Sequence, residues 1–246
     1  MITAYHRPQT LDEALKLLAQ PNTLPLGGGT LLSHSQADSV QVVDLQALGL
    51  NSIKKNGNNL EIGATATLQQ LLEDEACPAA LKSALKLEAP LNLRNAGTAA
   101  GTIVTCDGRS TFVTVLLALD AKIELRYSNL ESRTLNIGDF LPLRPRGLIT
   151  SITIPLNVKI AFESVARTPA DKPIVCVVLA GWPSGRTRLA VGGYGKAPML
   201  AMDGTEAEGV EAAARNAFHE AKDEWASAEY RMDVAATLAK RCMEQV

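Results

Sequence analysis

The sequence predicts an α+β fold with two N-terminal α/β subdomains and a C-terminal α+β domain. Two glycine-bearing segments, residues 27–30 and 94–102, lie about seventy residues apart in the first part of the chain, and each borders an apolar run. From about residue 159 the pattern changes to strand-like runs followed by alanine-rich helical stretches. The 246 residues suffice for one large domain or two modest ones, each with a core.

The composition excludes several classes of protein. Hydrophobic residues make up 46% of the chain and charged residues 20%, close to the average for folded globular proteins, which argues against disorder. The formal net charge is −2 and like charges form no long run, so the basic surface that nucleic-acid binding requires is missing. The sequence shows neither a basic and apolar leader nor a stretch long enough for a membrane span. We therefore expect a cytoplasmic protein.

The cysteines and histidines predict no metal site. The four cysteines are far apart and form no C-x-x-C pair, so we expect reduced thiols and neither an iron–sulfur cluster nor structural zinc. The histidines His6, His34 and His219 are equally scattered and show no metal-ligand spacing.

The first α/β unit begins with a capped helix. Thr10-Leu-Asp-Glu13 has the pattern of a capping box, and the apolar residues that follow lie on one face of a helix over residues 11–19. Residues 24–26 form a short apolar strand that opens into the triple glycine, and residues 40–45 predict the next strand.

The second α/β unit alternates strands and helices. Thr67, with Gln70 three residues later, marks the start of a helix after a strand over residues 60–64. Further helices are predicted over residues 79–87 and 111–119, and further strands over residues 122–126 and 149–155.

The C-terminal part predicts a three-stranded antiparallel sheet and two helices. The strands are residues 159–166, 174–180 and 188–191, and the helices are residues 206–226 and 228–243. We therefore divide the chain into a domain over residues 1–156, with subdomains of about 1–55 and 56–156, and a domain over residues 157–246.

The two glycine-bearing segments are the candidate ligand site. Glycine leaves peptide N–H groups unshielded, which suits a diphosphate, and two such segments at neighbouring strand ends predict a dinucleotide cradle. No Lys-Ser or Lys-Thr follows the glycines as in a nucleotide-hydrolysing P-loop, and the G-x-G-x-x-G of a Rossmann turn is absent. The alternative for each segment alone is a plain tight turn.

Two other groups are interpreted as structural. Residues 106–109, Cys-Asp-Gly-Arg, are typical of a turn with a solvated arginine. Trp182 lies in a Gly-Trp-Pro turn and Trp225 in a predicted helix, so both are assigned to packing.

The chain resembles the FAD-binding medium subunit of the molybdenum hydroxylases, the family of xanthine dehydrogenase and aerobic carbon monoxide dehydrogenase. The similarity extends over nearly the whole chain. Its motifs are residues 25–32 (PLGGGTLL), 43–45 (VDL), 60–67 (LEIGATAT), 93–95 (LRN) with the second glycine segment, 116–121 (LLALDA), 139–140 (DF), 148–155 (LITSITIP), 162–167 (FESVAR) with Ala170 and Asp171, and 191–193 (VGG) with Pro198.

The resemblance implies an FAD site between two PCMH/VAO-like N-terminal subdomains. In the family the first glycine loop holds the diphosphate, and the second reaches the flavin end. Carried over by position, the cofactor-binding residues are Leu26, Gly27, Gly28, Gly29, Thr30, Leu31, Gly97, Thr98, Ala99, Ala100, Gly101, Thr102, Thr111 and Ile149. The resemblance implies no catalytic side chain and no metal ligand in this chain, because the cofactor supplies the redox chemistry.

The resemblance also implies a role within a larger complex. The chain would be a flavoprotein and an electron-transfer subunit of a heteromeric oxidoreductase. Its partners would be a large subunit with the molybdenum cofactor and a small subunit with [2Fe–2S] centres. Electrons would pass from the iron–sulfur centres through the flavin to NAD, quinone or oxygen.

Several side chains depart from the family pattern. A family glycine is Ala100 here, a family asparagine is Thr102, and a family aspartate is Thr111. Leu31 and Glu163 also replace polar or basic residues found in relatives. Two alternatives therefore stay open beside an FAD-binding subunit: a flavin-free structural or assembly subunit of the same kind of complex, and a stand-alone flavoprotein acting on a small molecule.

Overall fold

A computed structural model describes residues 1–32, 39–129, 131–205 and 207–246. The strands of these residues are β1 (Ile2–His6), β2 (Thr23–Leu26), β3 (Val40–Asp44), β4 (Ile53–Asn56), β5 (Asn59–Gly63), β6 (Lys122–Arg126), β7 (Ser132–Asn136), β8 (Leu148–Pro155), β9 (Lys159–Val165), β10 (Val175–Gly181), β11 (Thr187–Gly192) and β12 (Met199–Gly204). Their α-helices are α1 (Leu11–Leu18), α2 (Leu68–Glu73), α3 (Ala79–Glu88), α4 (Leu91–Ala96), α5 (Ala99–Thr105), α6 (Thr111–Ala118), α7 (Ile137–Leu143), α8 (Val210–Asn216) and α9 (Ala228–Met243). The mixed helix and strand content confirms the α+β fold class.

The first sheet is parallel and has the strand order β1-β3-β2. Helix α1 begins as predicted, because the Thr10 hydroxyl accepts a hydrogen bond from the Glu13 peptide nitrogen. The Glu13 carboxylate accepts from the Gln9 peptide nitrogen at 3.1 Å, one residue before the helix cap. The apolar side of α1 and strand β3 form a small core that includes Ala14, Leu15 and Val43. The first glycine loop follows β2 at the end of this sheet.

The second sheet is antiparallel and has the order β4-β5-β8-β6-β7. Its helix α2 begins with the predicted capping box, in which Thr67 and Gln70 each bond the other's peptide nitrogen. Helix α6 is buried on every side, as its uniformly apolar or hydroxyl-bearing sequence requires. This helix lies between the second sheet and the C-terminal sheet, and it contacts β10 and β11.

The C-terminal sheet has four strands in the order β12-β11-β10-β9, so the predicted three-stranded sheet is wrong by one edge strand. Residues alternate between its two faces. Val178, Ala180 and Ala190 join the core around α6. Val177 and Leu189 join the core under α8 and α9.

The predicted helix over residues 206–226 is also wrong beyond residue 216. Its first residue, Glu206, lies outside the described residues, and α8 spans Val210–Asn216. The residues that follow form a loop, because the buried guanidinium of Arg231 donates to the carbonyls of Ala221 and Ala226 and to the Asp223 carboxylate at 2.7 and 2.9 Å. The carbonyls of Ala221 and Ala226 therefore accept from a side chain, whereas in a helix they would accept from peptide nitrogens of the next turn. Helix α9 has the predicted bounds of residues 228–243.

Candidate functional site

The second glycine-bearing segment is a turn between two short helices. We expected a loop at a strand exit over residues 94–102, but α4 ends at Ala96 and α5 begins at Ala99. Thr98 caps α5 by accepting a hydrogen bond from the Gly101 peptide nitrogen at 3.2 Å. The small residues around this turn fit a helical backbone as well as a loop, so the sequence alone does not distinguish the two.

The two glycine-bearing segments lie directly against each other. A Cβ atom at Gly28 would stand 1.5 Å from the Ala96 carbonyl oxygen, and one at Gly27 would stand 2.8 Å from the Thr98 hydroxyl. Both separations are shorter than any real contact, so only glycine permits this approach. Gly29 has a φ of +72°, a left-handed conformation that glycine adopts without strain. These glycines therefore allow the two segments to contact each other and also leave the backbone of the loop unshielded.

The first glycine loop offers unbonded peptide nitrogens. Within the described part of the chain, the peptide nitrogens of Gly27, Gly28 and Gly29 donate no hydrogen bond, and all three residues are half-buried. Buried and half-buried peptide N–H groups are normally paired with protein, water or a ligand. Neighbouring peptide N–H donors that no side chain shields are the kind of group that binds anions.

The second segment does not offer such donors, which corrects our expectation. The peptide nitrogen of Gly97 donates to the Leu93 carbonyl, and those of Ala99 and Ala100 donate to the carbonyls of Ala66 and Ala64. Gly101 and Thr102 both donate to oxygens of Thr98. Five of the six peptide nitrogens expected to be bare are therefore used inside the protein.

The remaining predicted residues differ in exposure. Leu26 and Thr30 are half-buried beside the glycines, and 55% of Leu31 is exposed. Ile149 is buried on β8, whose next residue, Thr150, accepts a hydrogen bond from the Ala64 peptide nitrogen. Since Ala64 in turn accepts from Ala100, Ile149 lies close to the start of α5.

Thr111 is placed differently from the other predicted residues. Its side chain is completely buried, and its hydroxyl lies 2.7 Å from the Ala84 carbonyl and 3.1 Å from the Glu88 carboxylate. The same carboxylate oxygen accepts from the Ser110 hydroxyl and from the Phe112 peptide nitrogen, both at 2.9 Å. Glu88 thus supplies a carboxylate at the start of α6. Thr111 has no free group to offer a ligand.

Arg94 holds the second segment in place, a role that was not predicted although the residue belongs to the LRN motif. Its Nε donates to the Gln69 side chain at 2.9 Å, and its Nη1 donates to the carbonyls of Ala89 at 2.7 Å and Lys86 at 3.3 Å. One guanidinium therefore ties α4 to α2 and to the end of α3. Carbonyl groups at a helix end need such donors, because they have no partner within the helix.

Residues 106–109, which follow α5, make more contacts than expected. Arg109 is not a solvated side chain: its guanidinium donates to the carbonyls of Pro173 and Lys172 and stacks on Trp225. Arg167 stacks on the same ring, 4.0 Å from its centroid. Trp225 lies in the loop after α8 and not in a helix, although its assignment to packing agrees with these contacts.

The described residues bring no reactive thiol and no metal cluster to the site. The four cysteines are free and buried, and burial raises the pKa of Cys106, which follows α5, to about 11. A thiol with so high a pKa is protonated at neutral pH and is a poor nucleophile. Among the described residues, no three His, Cys, Asp or Glu side chains are grouped to hold a metal ion. His6 and His219 are separate in the structure, and His34 lies outside the described residues.

A cavity of about 590 Å³ lies elsewhere in the C-terminal part, between the connection from β8 to β9 and the turn from β10 to β11. Trp182 and Arg186 are among its lining residues, and none of the predicted site residues is. In the described residues, no helix is both long and apolar enough to cross a bilayer.

The first glycine loop fits the diphosphate of FAD, whereas the second segment fits it only as a neighbouring wall. The unbonded nitrogens of Gly27, Gly28 and Gly29 are donors of the right kind for phosphate oxygens. The α4–α5 turn borders this loop through the approach of Gly28 to Ala96 and of Gly27 to Thr98. In the helix that begins at this turn, Ala100 and Thr102 are half-buried and Gly101 is exposed. The Thr102 hydroxyl donates to the Thr98 carbonyl at 2.9 Å, so it is committed within α5.

Comparison with known proteins identifies the family. Residues 1–157 match the family model described as the FAD binding domain in molybdopterin dehydrogenase. The chain is 30% identical to the uncharacterized protein YgfM of Escherichia coli (strain K12), over 97% of this chain and 94% of that protein. It is 29% identical to the glyceraldehyde dehydrogenase medium chain of Sulfolobus acidocaldarius, over 81% of this chain and 78% of that protein.

A solved structure shows the same fold over the full length. The Cu,Mo-CO dehydrogenase in its cyanide-inactivated form contains a chain that superposes with a TM-score of 0.83 at 22% identity, covering 100% of this chain and 97% of that one. The resemblance found in the sequence motifs is thereby confirmed. The chain belongs to the family of FAD-binding medium subunits of the molybdenum hydroxylases, and FAD is the cofactor of its N-terminal domain.

Proposed function

We propose that this protein is the FAD-carrying electron-transfer subunit of a multi-subunit molybdenum hydroxylase. One observation carries the proposal: three unbonded peptide nitrogens, at Gly27, Gly28 and Gly29, lie against the α4–α5 turn in a domain of the FAD-binding family. When bound, FAD supplies the redox chemistry that protein side chains lack. No acid–base pair or activated nucleophile is needed in this chain.

The residues of the chain bind and orient the cofactor. We assign the peptide nitrogens of Gly27, Gly28 and Gly29 to the diphosphate, and Leu26, Thr30 and Leu31 to the edges of the same loop. The α4–α5 turn and the start of α5 form the facing wall, with Ile149 as an aliphatic neighbour. The wall residues are Gly97, Thr98, Ala99, Ala100, Gly101 and Thr102. Thr111 is assigned no contact with the cofactor in this proposal, because its hydroxyl is bonded to Ala84 and Glu88.

The partners and the domain boundaries are part of the proposal. We propose a large subunit with the molybdenum cofactor, a small [2Fe–2S] subunit, and NAD, quinone or oxygen as electron acceptor, in the cytoplasm. The name of the Sulfolobus relative as a medium chain supports an assembly of several chains. We place the boundaries near residues 55 and 156. Residue 55 lies within β4, the first strand of the second sheet, whereas residue 156 lies between the second sheet and the C-terminal sheet. The chain has no long linker there, since β8 ends at Pro155 and β9 begins at Lys159.

Titration of the purified chain with FAD tests the proposal. We expect one FAD per chain, with changed flavin absorption and fluorescence. ADP should compete through its diphosphate, whereas riboflavin, which lacks phosphates, should bind at least about 100-fold more weakly because it forms no charge-assisted bonds to the loop. A chain that takes up no FAD would contradict the proposal and favour a flavin-free structural subunit. Oxidation of a small molecule by the isolated chain would favour a stand-alone flavoprotein.

A further inference from the structure

We propose that Arg144 is a positioning residue of the cofactor site: it fixes helix α5 by joining its C-terminal end to the C-terminal sheet. The inference rests on the proposed function, since α5 borders the proposed diphosphate loop. Arg144 itself lies at the end of α7 and contacts none of the proposed cofactor-binding residues. Its effect on the cofactor would therefore be indirect.

The guanidinium of Arg144 joins three parts of the chain. Nη1 donates to the Val104 carbonyl at 2.9 Å, and Nη2 donates to the carbonyls of Cys106 at 2.8 Å and Lys196 at 3.3 Å. Val104 is in the last turn of α5 and Cys106 caps it, so these carbonyls have no partner within the helix. A cation at a helix C-terminus is also favourable electrostatically. Lys196 belongs to the connection between β11 and β12.

The backbone of Arg144 is held in an uncommon conformation. Its φ is +38° and its ψ is +58°, in the left-handed region that a residue with a Cβ atom seldom adopts. Such conformations cost free energy and persist where surrounding contacts compensate. The bonds of the guanidinium to α5 and to the C-terminal sheet are that compensation.

A second set of contacts fixes the same region. The Gly108 peptide nitrogen donates to the Gly195 carbonyl at 2.9 Å, and the Gly193 peptide nitrogen donates to the Gly108 carbonyl at 2.6 Å. A Cβ atom at Gly108 would stand 1.8 Å from the Tyr194 carbonyl oxygen, so the two backbones touch. The turn after β11 is thus bonded directly to the segment that follows α5. Arg144 adds a second link between these two segments through its bonds to Cys106 and Lys196.

Helix α5 transmits this restraint to the cofactor loop. It has seven residues and is therefore about 10 Å long, too short to bend appreciably. Its N-cap, Thr98, touches Gly27, and its C-terminal end is held by Arg144. A shift of the C-terminal end would move the wall that faces Gly27, Gly28 and Gly29. Removing the bonds of Arg144 should therefore change both the affinity for the cofactor and the environment of the bound flavin.

The experiment compares Arg144→Ala and Arg144→Lys with the matched control Arg146→Ala. Arg146 is two residues away, is exposed, and has no hydrogen bond or ion pair to the described residues. Each variant is measured for its FAD dissociation constant, for the visible circular dichroism of bound FAD, and for amide hydrogen exchange of residues 99–105 in the FAD-free chain. All measurements are made well below the unfolding temperature of each variant.

We expect Arg144→Ala to bind FAD about tenfold more weakly or worse, the scale of one lost charge-assisted bond. Its flavin dichroism should change and its α5 amides should exchange faster. Arg144→Lys should be intermediate, since one ammonium cannot reach all three carbonyls, and Arg146→Ala should match the wild type. If Arg144→Ala does not fold, Arg144→Lys carries the comparison.

Two results separate this inference from the proposed function. If the wild type binds no FAD, the proposed function fails, and unchanged α5 exchange in Arg144→Ala would overturn the positioning role as well. If the wild type binds FAD but Arg144→Ala shows the same dissociation constant and dichroism, with only a lower unfolding temperature, Arg144 serves stability alone and the inference is wrong.

Discussion

At the scale of single residues, the missing side chain of Gly28 allows the two glycine-bearing segments to contact each other. Its α-carbon approaches the Ala96 carbonyl so closely that no side chain fits. Gly27 makes a similar approach to Thr98, whose hydroxyl is already used to cap α5. These two glycines serve the contact between the segments, while the nitrogens of the same loop stay available. Backbone packing and ligand binding are thus combined in consecutive residues.

We expect Gly28→Ala to lower the free energy of unfolding by about 1–3 kcal/mol and to impair FAD binding, because the added methyl group forces the segments apart. Gly204→Ala is the matched control, since a Cβ atom at Gly204 would have no neighbour within 4 Å and its φ is not positive. Chemical unfolding and FAD titration of both variants give the two quantities. Equal stability and FAD affinity of Gly28→Ala and wild type would show that the close contact does not exist.

Only part of the site was predictable from residue types. The glycine triplet was found because glycine runs after a strand are rare and exposed backbone has few other signatures. The roles of Arg94, Glu88 and Arg144 were not found, because each bonds a group that is distant in sequence. A single sequence carries no signal for such partners. The bonded nitrogens of Ala99 and Ala100 were missed for the same reason, since their acceptors belong to residues 64 and 66.

At the scale of elements, an ion network joins the end of α6 to the C-terminal sheet. Arg188 is 4% exposed at its side chain and reaches Asp203 at 2.5 Å and Asp120 at 3.4 Å. Arg186 forms two hydrogen bonds to Asp203, at 2.9 and 2.8 Å, and also reaches Asp120. Asp120 follows α6 in a left-handed conformation with a φ of +54°. The network therefore fixes α6 against β11 and β12.

This network makes the free energy of unfolding depend on pH in the acidic range. The hydrogen bond from Arg186, helped by the charge of Arg188, lowers the pKa of Asp203 below its ordinary value of 3.8 despite partial burial. Because the folded-state pKa is the lower one, the stabilisation is present above the unfolded-state value and is lost as the pH falls through the folded-state value. We expect Asp203→Asn to cost on the order of 2 kcal/mol at pH 7, since Arg188 loses its main partner.

Urea unfolding of wild type and Asp203→Asn across the acidic range measures this effect. The difference in unfolding free energy between the two should be constant from pH 7 to about 5 and should shrink below about pH 4. The comparison of the two proteins cancels the other carboxylates. A difference that stays constant down to pH 3 would contradict the assignment of this pH dependence to Asp203.

The elements were predicted where a local signal was strong. The capped starts of α1 and α2 follow from Thr10 and Thr67, and α9 follows from its alanine-rich sequence. Strand β12 was missed because its sequence, MLAMDG, lacks β-branched residues and pairs only at the sheet edge. The overlong helix prediction failed because alanine content favours a helix locally, whereas the bonds of Arg231 impose a loop.

At the scale of the whole molecule, the C-terminal sheet belongs to two cores. One face packs on α6 and the other on α8 and α9, so this sheet is continuous with the core of the preceding domain. The turn after β11 and the side chain of Arg144 extend that connection to the end of α5. The C-terminal sheet is thus linked to the C-terminal end of α5, whose other end borders the proposed site. The order of these parts was predictable from the sequence, whereas the contacts that join them were not.

An NMR titration of the ¹⁵N-labelled chain with FAD tests whether the first glycine loop holds the diphosphate. We expect the amide signals of Gly27, Gly28 and Gly29 to move strongly downfield as they bond to it. Those of Gly57 and Gly185, which lie in the β4–β5 and β10–β11 turns, should stay unchanged. Binding of FAD that leaves the three loop amides unmoved would contradict the claim that this loop holds the cofactor.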